Sequence, residues 1–304
     1  MTSIKRPESF DDTLIKELPL NTEKLSLWNN QISSFKGCEN LPKNLKELDL
    51  GFNQISSFEF SEDLPKNLEM ISLGYNQINS LKGCEILPKP LKKLYLYGNQ
   101  ISSFKCCENL PKTLEMISLY DNKISSFKGC ENLPRNLKKL YIGNNQIRSF
   151  KHSGKLPRNL KELHLGGNQI RSFEHSEGLP RTLEILDLIK NQISSFNHSE
   201  CLPRNLNILD LYCNQIISFK HLPKNLETHS ENLTLNQVLL RYTKFEFGTP
   251  LEYIKFFQHY QDFKYILNEI KYNPRLERMK TELEEEERKL KEDPEMFYNL
   301  INQN

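Results

Sequence analysis

Leucine and isoleucine recur along the chain in one phrase that starts again every 23 residues. The phrase reads L-x-x-L-x-L-x-x-N-x-I-x-x-F and occurs nine times between Thr22 and His221. Its fourth position shows the register, filled in turn by Leu25, Leu48, Ile71, Leu94, Ile117, Leu140, Leu163, Leu186 and Leu209. Self-similarity with a period of about 20 to 29 residues indicates a solenoid, in which each repeat stacks on the one before it.

The L-x-L segment of each phrase predicts a short β-strand. Apolar and other residues alternate there with period two, so the leucines face the interior and the residues between them face outward. Successive phrases then pair as parallel strands about 4.8 Å apart, and nine of them form a concave sheet roughly 40 Å long.

Two further constant positions predict how each coil returns on the opposite, convex side. One is apolar and nearly always aromatic, and should form a buried stack: Phe35, Phe58, Leu81, Phe104, Phe127, Phe150, Phe173, Phe196 and Phe219. The other is a Leu-Pro step, from Leu41-Pro42 to Leu222-Pro223. Proline fixes φ and removes a backbone donor, so we expect short irregular or 3₁₀ convex segments rather than long helices.

The phrase resembles the leucine-rich-repeat superfamily over residues 18–226. Its N-Q-I-S-S-F segment followed by glutamate is similar to the SDS22-like and internalin-like variants, which share a 23-residue repeat. The L-P-K/R-N-L start and a composition rich in Asn, Ile and Lys are most similar to repeat proteins of giant amoeba-infecting DNA viruses. The resemblance implies an α/β solenoid: a right-handed horseshoe with a parallel concave sheet. It also implies that the Asn of each phrase points inward and satisfies backbone groups, which would otherwise cost about 1–3 kcal/mol each.

The ends of the chain depart from the repeat. Residues 1–17 are expected to form an N-terminal cap that could be helical, and residues 18–226 the array, with nine repeats and the truncated start of a tenth. Residues 227–304 are expected to form a helical C-terminal cap. Thr249-Pro250-Leu251-Glu252 there is a capping box with proline at the first helical position, and Asn273-Pro274 repeats the start signal, as does Asp293-Pro294.

Composition narrows the classes of protein. A net charge of +2 with 26% charged residues exerts no whole-chain attraction toward nucleic acid or membrane. The first ten residues are polar and no apolar run is long enough to span a bilayer, so neither a secretory signal nor a membrane segment is predicted. Four of the seven cysteines share one repeat position with serines, which indicates a small tolerant slot rather than a disulfide. A reducing cytoplasm is expected, that of the host if the protein is viral.

Aromatic residues collect at the outward positions of the predicted sheet. We take them as candidate partner-binding residues: Trp28, Phe52, Tyr75, Tyr95, Tyr97, Tyr120, Tyr141 and Tyr212. Aromatic side chains interleaved with charges are typical of the energetic centres of protein interfaces. The alternative is that these residues serve β-propensity and cross-strand stacking alone.

A basic ladder follows the Leu-Pro steps and is the candidate for binding phosphate or nucleic acid. It comprises Lys43, Lys66, Lys89, Lys112, Arg135, Arg158, Arg181, Arg204 and Lys224. A row of glutamates lies four residues earlier, from Glu39 to Glu200. We expect the two rows to screen each other, which disfavours nucleic acid.

Histidines fill one position in four consecutive repeats: His152, His175, His198 and His221. Such spacing could let neighbours share a metal ion, but earlier repeats have Gly37, Gly83 and Gly129 there, and no carboxylate or thiolate cluster accompanies the histidines. Repeat duplication is the favoured explanation, and no metal site or cofactor is predicted. Residues 222–304 contain no cysteine nucleophile, and no catalytic set of residues is found.

The sequence therefore predicts a non-catalytic protein–protein interaction module, or scaffold, whose concave face binds a protein partner. In the alternative, the array is a structural spacer and a charged C-terminal helix makes the specific contact.

Overall fold

The computed structural model describes residues 2–3, 10, 13–59, 61–206, 208–211 and 214–215. Tyr212, His221 and the predicted C-terminal helices lie outside these residues. No helix among the described residues is long and apolar enough to cross a membrane.

Ten short strands form one parallel sheet whose spatial order follows the chain. Their bounds are β1 Thr2–Ser3, β2 Lys24–Ser26, β3 Glu47–Asp49, β4 Met70–Ser72, β5 Lys93–Tyr95, β6 Met116–Ser118, β7 Lys139–Tyr141, β8 Glu162–His164, β9 Ile185–Asp187 and β10 Ile208–Asp210. Each paired residue of β1 to β9 lies opposite the residue 23 positions later, as Thr2 does with Leu25 and Leu25 with Leu48. The parallel concave sheet that the L-x-L pattern predicts is confirmed.

The N-terminal segment contributes a strand as well as a helix. β1 pairs with β2, with Thr2 opposite Leu25, and a short helix, α1, follows at Thr13–Lys16. The side chains of Phe10 and Ile15 are buried, and the Phe10 ring stacks on Phe35 with 6.5 Å between centroids. Phe10 thus packs on the core of the first repeat, which the start of an array would otherwise expose.

The convex side consists of 3₁₀ turns, as the Leu-Pro steps predict. The described turns are Cys38–Asn40, Ser61–Asp63, Cys84–Ile86, Cys107–Asn109, Cys130–Asn132, Ser153–Lys155, Ser176–Gly178 and Ser199–Cys201. A residue with positive φ precedes seven of these turns: Gly37, Gly83, Cys106, Gly129, His152, His175 and His198. This backbone requirement explains why glycine fills the histidine position in other repeats.

The core runs through the array as stacked columns. The described phenylalanines of the convex stack are fully buried, and Phe173 lies 5.9 Å from Phe196, centroid to centroid. The slot shared by cysteine and serine is also fully buried, for example at Cys84 and Ser153. The buried stack that the constant aromatic position predicts is confirmed.

From Asn53 to Asn214, each asparagine of the phrase joins two coils, as the resemblance implies. The Asn76 amide donates to the carbonyl oxygens of Leu73 at 3.1 Å and of Leu50, in the preceding coil, at 2.9 Å. Its oxygen accepts from the backbone N–H of Ile55 at 2.9 Å. The same pattern recurs along the column, so the turn after each strand keeps its buried backbone groups paired.

Candidate partner-binding surface on the concave face

The exposed aromatic side chains lie just beyond the strands, at the seventh and eighth positions of the phrase counted from its first leucine. Trp28 is 46% exposed, and Phe52, Tyr75 and Tyr120 are 42–43% exposed. Large apolar side chains at this level of exposure, next to one another, are typical of interaction surfaces.

Five of the predicted residues form one continuous cluster, which we call the aromatic strip: Trp28, Phe52, Tyr75, Tyr97 and Tyr95. Ring centroids along it are separated by 4.9 Å (Trp28 to Phe52), 4.3 Å (Phe52 to Tyr75), 5.3 Å (Tyr75 to Tyr97) and 6.5 Å (Tyr97 to Tyr95). The last two contacts are edge-to-face. These are favourable aromatic distances, so the strip is a preformed surface spanning four coils.

Glycines make room for the rings of the strip. The Trp28 ring lies over Gly51, where an added Cβ would be 2.9 Å from it. A Cβ at Gly74 would overlap the Tyr97 ring, and one at Gly98 the Tyr75 ring. Each of these rings therefore packs against a glycine, and a larger residue at that glycine position would displace the ring.

Two members of the strip hold a backbone conformation that disfavours them. The eighth position has positive φ, and Asn29, Gly98 and Asp121 suit it because small or locally hydrogen-bonding residues tolerate the left-handed region. Phe52 and Tyr75 adopt the same conformation with φ of 55° and 52°. A bulky residue there costs on the order of 1–3 kcal/mol. Framework stability alone would favour asparagine or glycine at these two sites.

The other predicted residues lie outside the strip. The Tyr120 hydroxyl accepts a hydrogen bond from the Asn144 amide at 2.7 Å. Tyr141 stacks on His164, with centroids 4.4 Å apart and 14° between planes. Sequence reasoning missed His164, although it occupies the same strand position as Tyr95 and Tyr141 and differs from them only in ring chemistry.

A charged group surrounds the Tyr141–His164 pair. Glu162 forms an ion pair with Lys139, whose Nζ lies 2.9 Å from its Oε1. Its other carboxylate oxygen lies 3.7 Å from Nε2 of His164, and Nδ1 of the same ring lies 3.4 Å from a carboxylate oxygen of Asp187. Partial burial alone would raise the pKa of Glu162, but the Lys139 ammonium and His164 outweigh it and leave that pKa below its usual value. Burial also raises the pKa of Tyr141. Because the pKa of Glu162 is lowered, its contribution to stability is present near neutral pH and is lost in acid.

Ion pairs between neighbouring coils neutralise charged side chains at and just before the strands beside the strip. Lys24 pairs with Glu47 at 2.6 Å, Lys46 with Glu23 at 2.6 Å, and Lys92 with Glu69 at 2.9 Å. Such exposed pairs add little to stability. Their consequence is a concave surface whose aromatic part is flanked by balanced charge.

The ladders outside the concave face give no assembled site. The basic ladder is exposed over its described members, yet within the described part of the chain no ion pair joins it to the glutamate row. The screening we expected from sequence therefore involves no direct pairing. His152, His175 and His198 are exposed, and no group of three or more potential metal ligands lies together among the described residues.

Comparison with known proteins places the chain in a family. A family model described as leucine-rich repeats (two copies) matches residues 23–65, 66–112, 112–157 and 158–201, more than half of the chain. The chain therefore belongs to the leucine-rich-repeat family. No curated protein matches the sequence.

Solved structures share the fold. An internalin (InlF) of Listeria monocytogenes is 26% identical with a TM-score of 0.55, and the match covers 68% of this chain and 58% of the internalin. A chain of a TLR13–ssRNA13 complex is 28% identical with a TM-score of 0.53, and the match covers 68% of this chain and 31% of that one. A chain of an LRIM1/APL1C complex is 21% identical with a TM-score of 0.53, and the match covers 70% of this chain and 39% of that one. At this identity the LRIM1/APL1C match shows the fold alone. The chain spans less than two thirds of the length of each.

Proposed function

We propose that the chain is a non-catalytic interaction module that binds a protein partner through its concave face, with the aromatic strip as the main contact. The observation that carries the proposal is the placement of Phe52 and Tyr75 in left-handed backbone. An aromatic ring at such a position opposes local backbone preference, and strain of this kind clusters at functional sites. In the alternative, β-propensity and cross-strand stacking place these rings. β-propensity gives no reason for this placement, since the residues lie beyond the strands, and stacking alone does not call for rings at positions with positive φ.

The geometry of the strip also favours binding. Its rings pack on one another and on glycine backbone, so little side-chain freedom remains to be lost when a partner docks. Trp28 and the tyrosines add polar N–H and O–H groups to large apolar surfaces, a combination enriched in interface hot spots.

A three-residue variant of the strip, Tyr75→Asn with Tyr95→Ser and Tyr97→Ser, tests the proposal. Both chains are used to capture partners from an extract of the native host cell, and the captured proteins are quantified by mass spectrometry. The variant should fail to enrich the proteins that the unmodified chain enriches. The matched control is Tyr120→Ser with Tyr141→Ser, which removes aromatic rings of the same face outside the strip and should lower capture much less than the strip variant does.

The spacer alternative gives the opposite result. If the charged C-terminal helix made the specific contact, removal of residues 274–304 would abolish capture and the strip variant would retain it. That helix lies outside the described residues, so the alternative rests on the sequence alone.

We also infer that the protein works in a reducing cytoplasm, the host's if the resemblance to proteins of giant amoeba-infecting viruses reflects its origin. The six described cysteines are free. Denaturation in excess alkylating agent without reductant, followed by intact-mass measurement of protein isolated from its native cell, should find all seven cysteines alkylated. A smaller number would contradict the inference.

A further inference from the structure

One flank of the array, between the strand ends and the 3₁₀ turns, carries cations without acidic residues. In repeats three to six this flank comprises residues 77–83, 100–106, 123–129 and 146–152, which contain no Asp or Glu. We call their cationic residues the basic flank: Lys82, Lys105, Lys123, Lys128, Arg148 and Lys151. All six are exposed.

The side chains of the basic flank are not neutralised. Among the described residues, no carboxylate lies within ion-pair distance of any of them, and Arg148 donates to the neutral amide oxygen of Gln169 at 3.2 Å. The concave lysines differ: Lys92, Lys138 and Lys139 each pair with a glutamate at 2.9 Å. Since the whole chain has a net charge of only +2, the flank is a local concentration of positive charge.

Four lysines of the flank form a row with one member per coil: Lys82, Lys105, Lys128 and Lys151, each 23 residues after the last. Each of these lysines directly follows the stacked apolar column, in which ring centroids of neighbouring coils lie 5.9 to 6.5 Å apart, so the row is about 18–20 Å long. About six residues of an extended polypeptide cover that distance at roughly 3.3 Å per residue.

The residues around the row favour an anionic ligand no wider than one extended chain. Exposed glutamates follow three residues further along three of the four coils, at Glu85, Glu108 and Glu131, and Asp121 is exposed before Lys128. A nucleic-acid duplex laid on the row would meet these carboxylates, whereas one extended chain would not. Single-stranded nucleic acid is held largely by stacking of bases on aromatic rings, and the described flank segments expose none.

We propose that the basic flank binds an extended acidic polypeptide segment of a partner protein. The proposal is independent of the aromatic strip, because it concerns a different surface. Carboxylates at alternate residues of an extended segment are spaced about 6.6 Å apart on one side, close enough for flexible lysine side chains to reach.

Binding of a labelled oligoglutamate peptide of about ten residues to the full chain, followed by fluorescence anisotropy, tests the proposal. The unmodified chain should bind, with an affinity that falls as salt rises. The variant with Lys82→Glu, Lys105→Glu, Lys128→Glu and Lys151→Glu should bind at least about tenfold more weakly. The control with Lys66→Glu, Lys89→Glu, Lys112→Glu and Arg135→Glu changes net charge equally on the other ladder and should lose less than about twofold.

Three results would overturn the proposal: no binding by the unmodified chain, an equal loss in both variants, or tighter binding of an oligothymidylate of equal charge than of the peptide. The substituted side chains are exposed and unpaired with carboxylates, so circular dichroism should show the array intact in both variants. Since the aromatic strip is unchanged in both, failure here leaves the concave-face proposal standing.

Discussion

At the scale of single residues, the constant letters of the phrase hold the coils together. Asn122 is bonded on both sides, donating to the carbonyl oxygens of Leu96 at 2.9 Å and Leu119 at 3.1 Å and accepting from Ile101 at 2.9 Å. A side chain that satisfies several buried backbone groups at once cannot be shortened without leaving them unpaired.

Replacement of that amide should therefore be costly. We expect Asn122→Ala to lower the free energy of unfolding by about 2 to 4 kcal/mol, measured by urea denaturation. The neighbouring exposed Lys123→Ala should change it by less than about 0.5 kcal/mol. A loss below about 1 kcal/mol for Asn122→Ala would show that the backbone finds other partners.

The buried cysteines should be chemically inert. Burial, aided for each by neighbouring acidic groups, raises the pKa of Cys38, Cys84, Cys107 and Cys130 to about 12. At pH 8 their thiols stay protonated, and the thiolate is the reactive form. Iodoacetamide should label exposed Cys201 in the folded protein while leaving these four unlabelled, as peptide mapping would show. Labelling of the four at the rate of Cys201 would contradict their placement.

At the scale of the repeat element, the turn after each strand separates framework from function. The eighth position of the phrase holds asparagine in two repeats, at Asn29 and Asn144, so Phe52→Asn with Tyr75→Asn introduces a residue that the turn tolerates. Relief of left-handed strain should offset the lost ring contacts, and we expect the free energy of unfolding to change by less than about 1 kcal/mol. A loss above about 3 kcal/mol in urea denaturation would mean that the rings belong to the framework.

The convex turns of two repeats approach more closely than a side chain allows. A Cβ at Gly178 would lie 2.7 Å from the Cα and 2.8 Å from the nitrogen of Gly154, both backbone atoms. We expect Gly178→Ala to destabilise the fold by about 1 to 3 kcal/mol, seen as a lower midpoint of thermal unfolding. The exposed neighbour Glu177→Ala is the control, and equal midpoints for the two variants would contradict this packing.

Sequence reasoning recovers the elements that the phrase repeats and misses those it does not. The L-x-L strands, the inward asparagines and the 3₁₀ turns follow from positions that recur every 23 residues. Strand β1 keeps the 23-residue spacing, with Thr2 opposite Leu25, but its residues lack the L-x-L pattern, so the phrase does not indicate it. The grouping of the aromatic strip was also missed, because Trp28 meets Phe52 across two different columns, a diagonal contact that comparison within one column does not reveal.

At the scale of the molecule, one array carries two surfaces of different character. The concave aromatic strip is apolar with paired charges beside it, whereas the basic flank is polar and unpaired. In a solenoid each coil contacts only its neighbours, so exposed positions can change without disturbing the core. Partner choice is therefore expected to lie in the variable positions, and stability in the constant ones.

The affinity of a captured partner for the unmodified chain and for the Phe52→Asn, Tyr75→Asn variant is the most direct test. Loss of two central aromatic contacts should raise the dissociation constant by about 30-fold or more, as measured by titration calorimetry, while the variant keeps its stability. An unchanged dissociation constant with a folded variant would contradict the claim that the aromatic strip binds the partner.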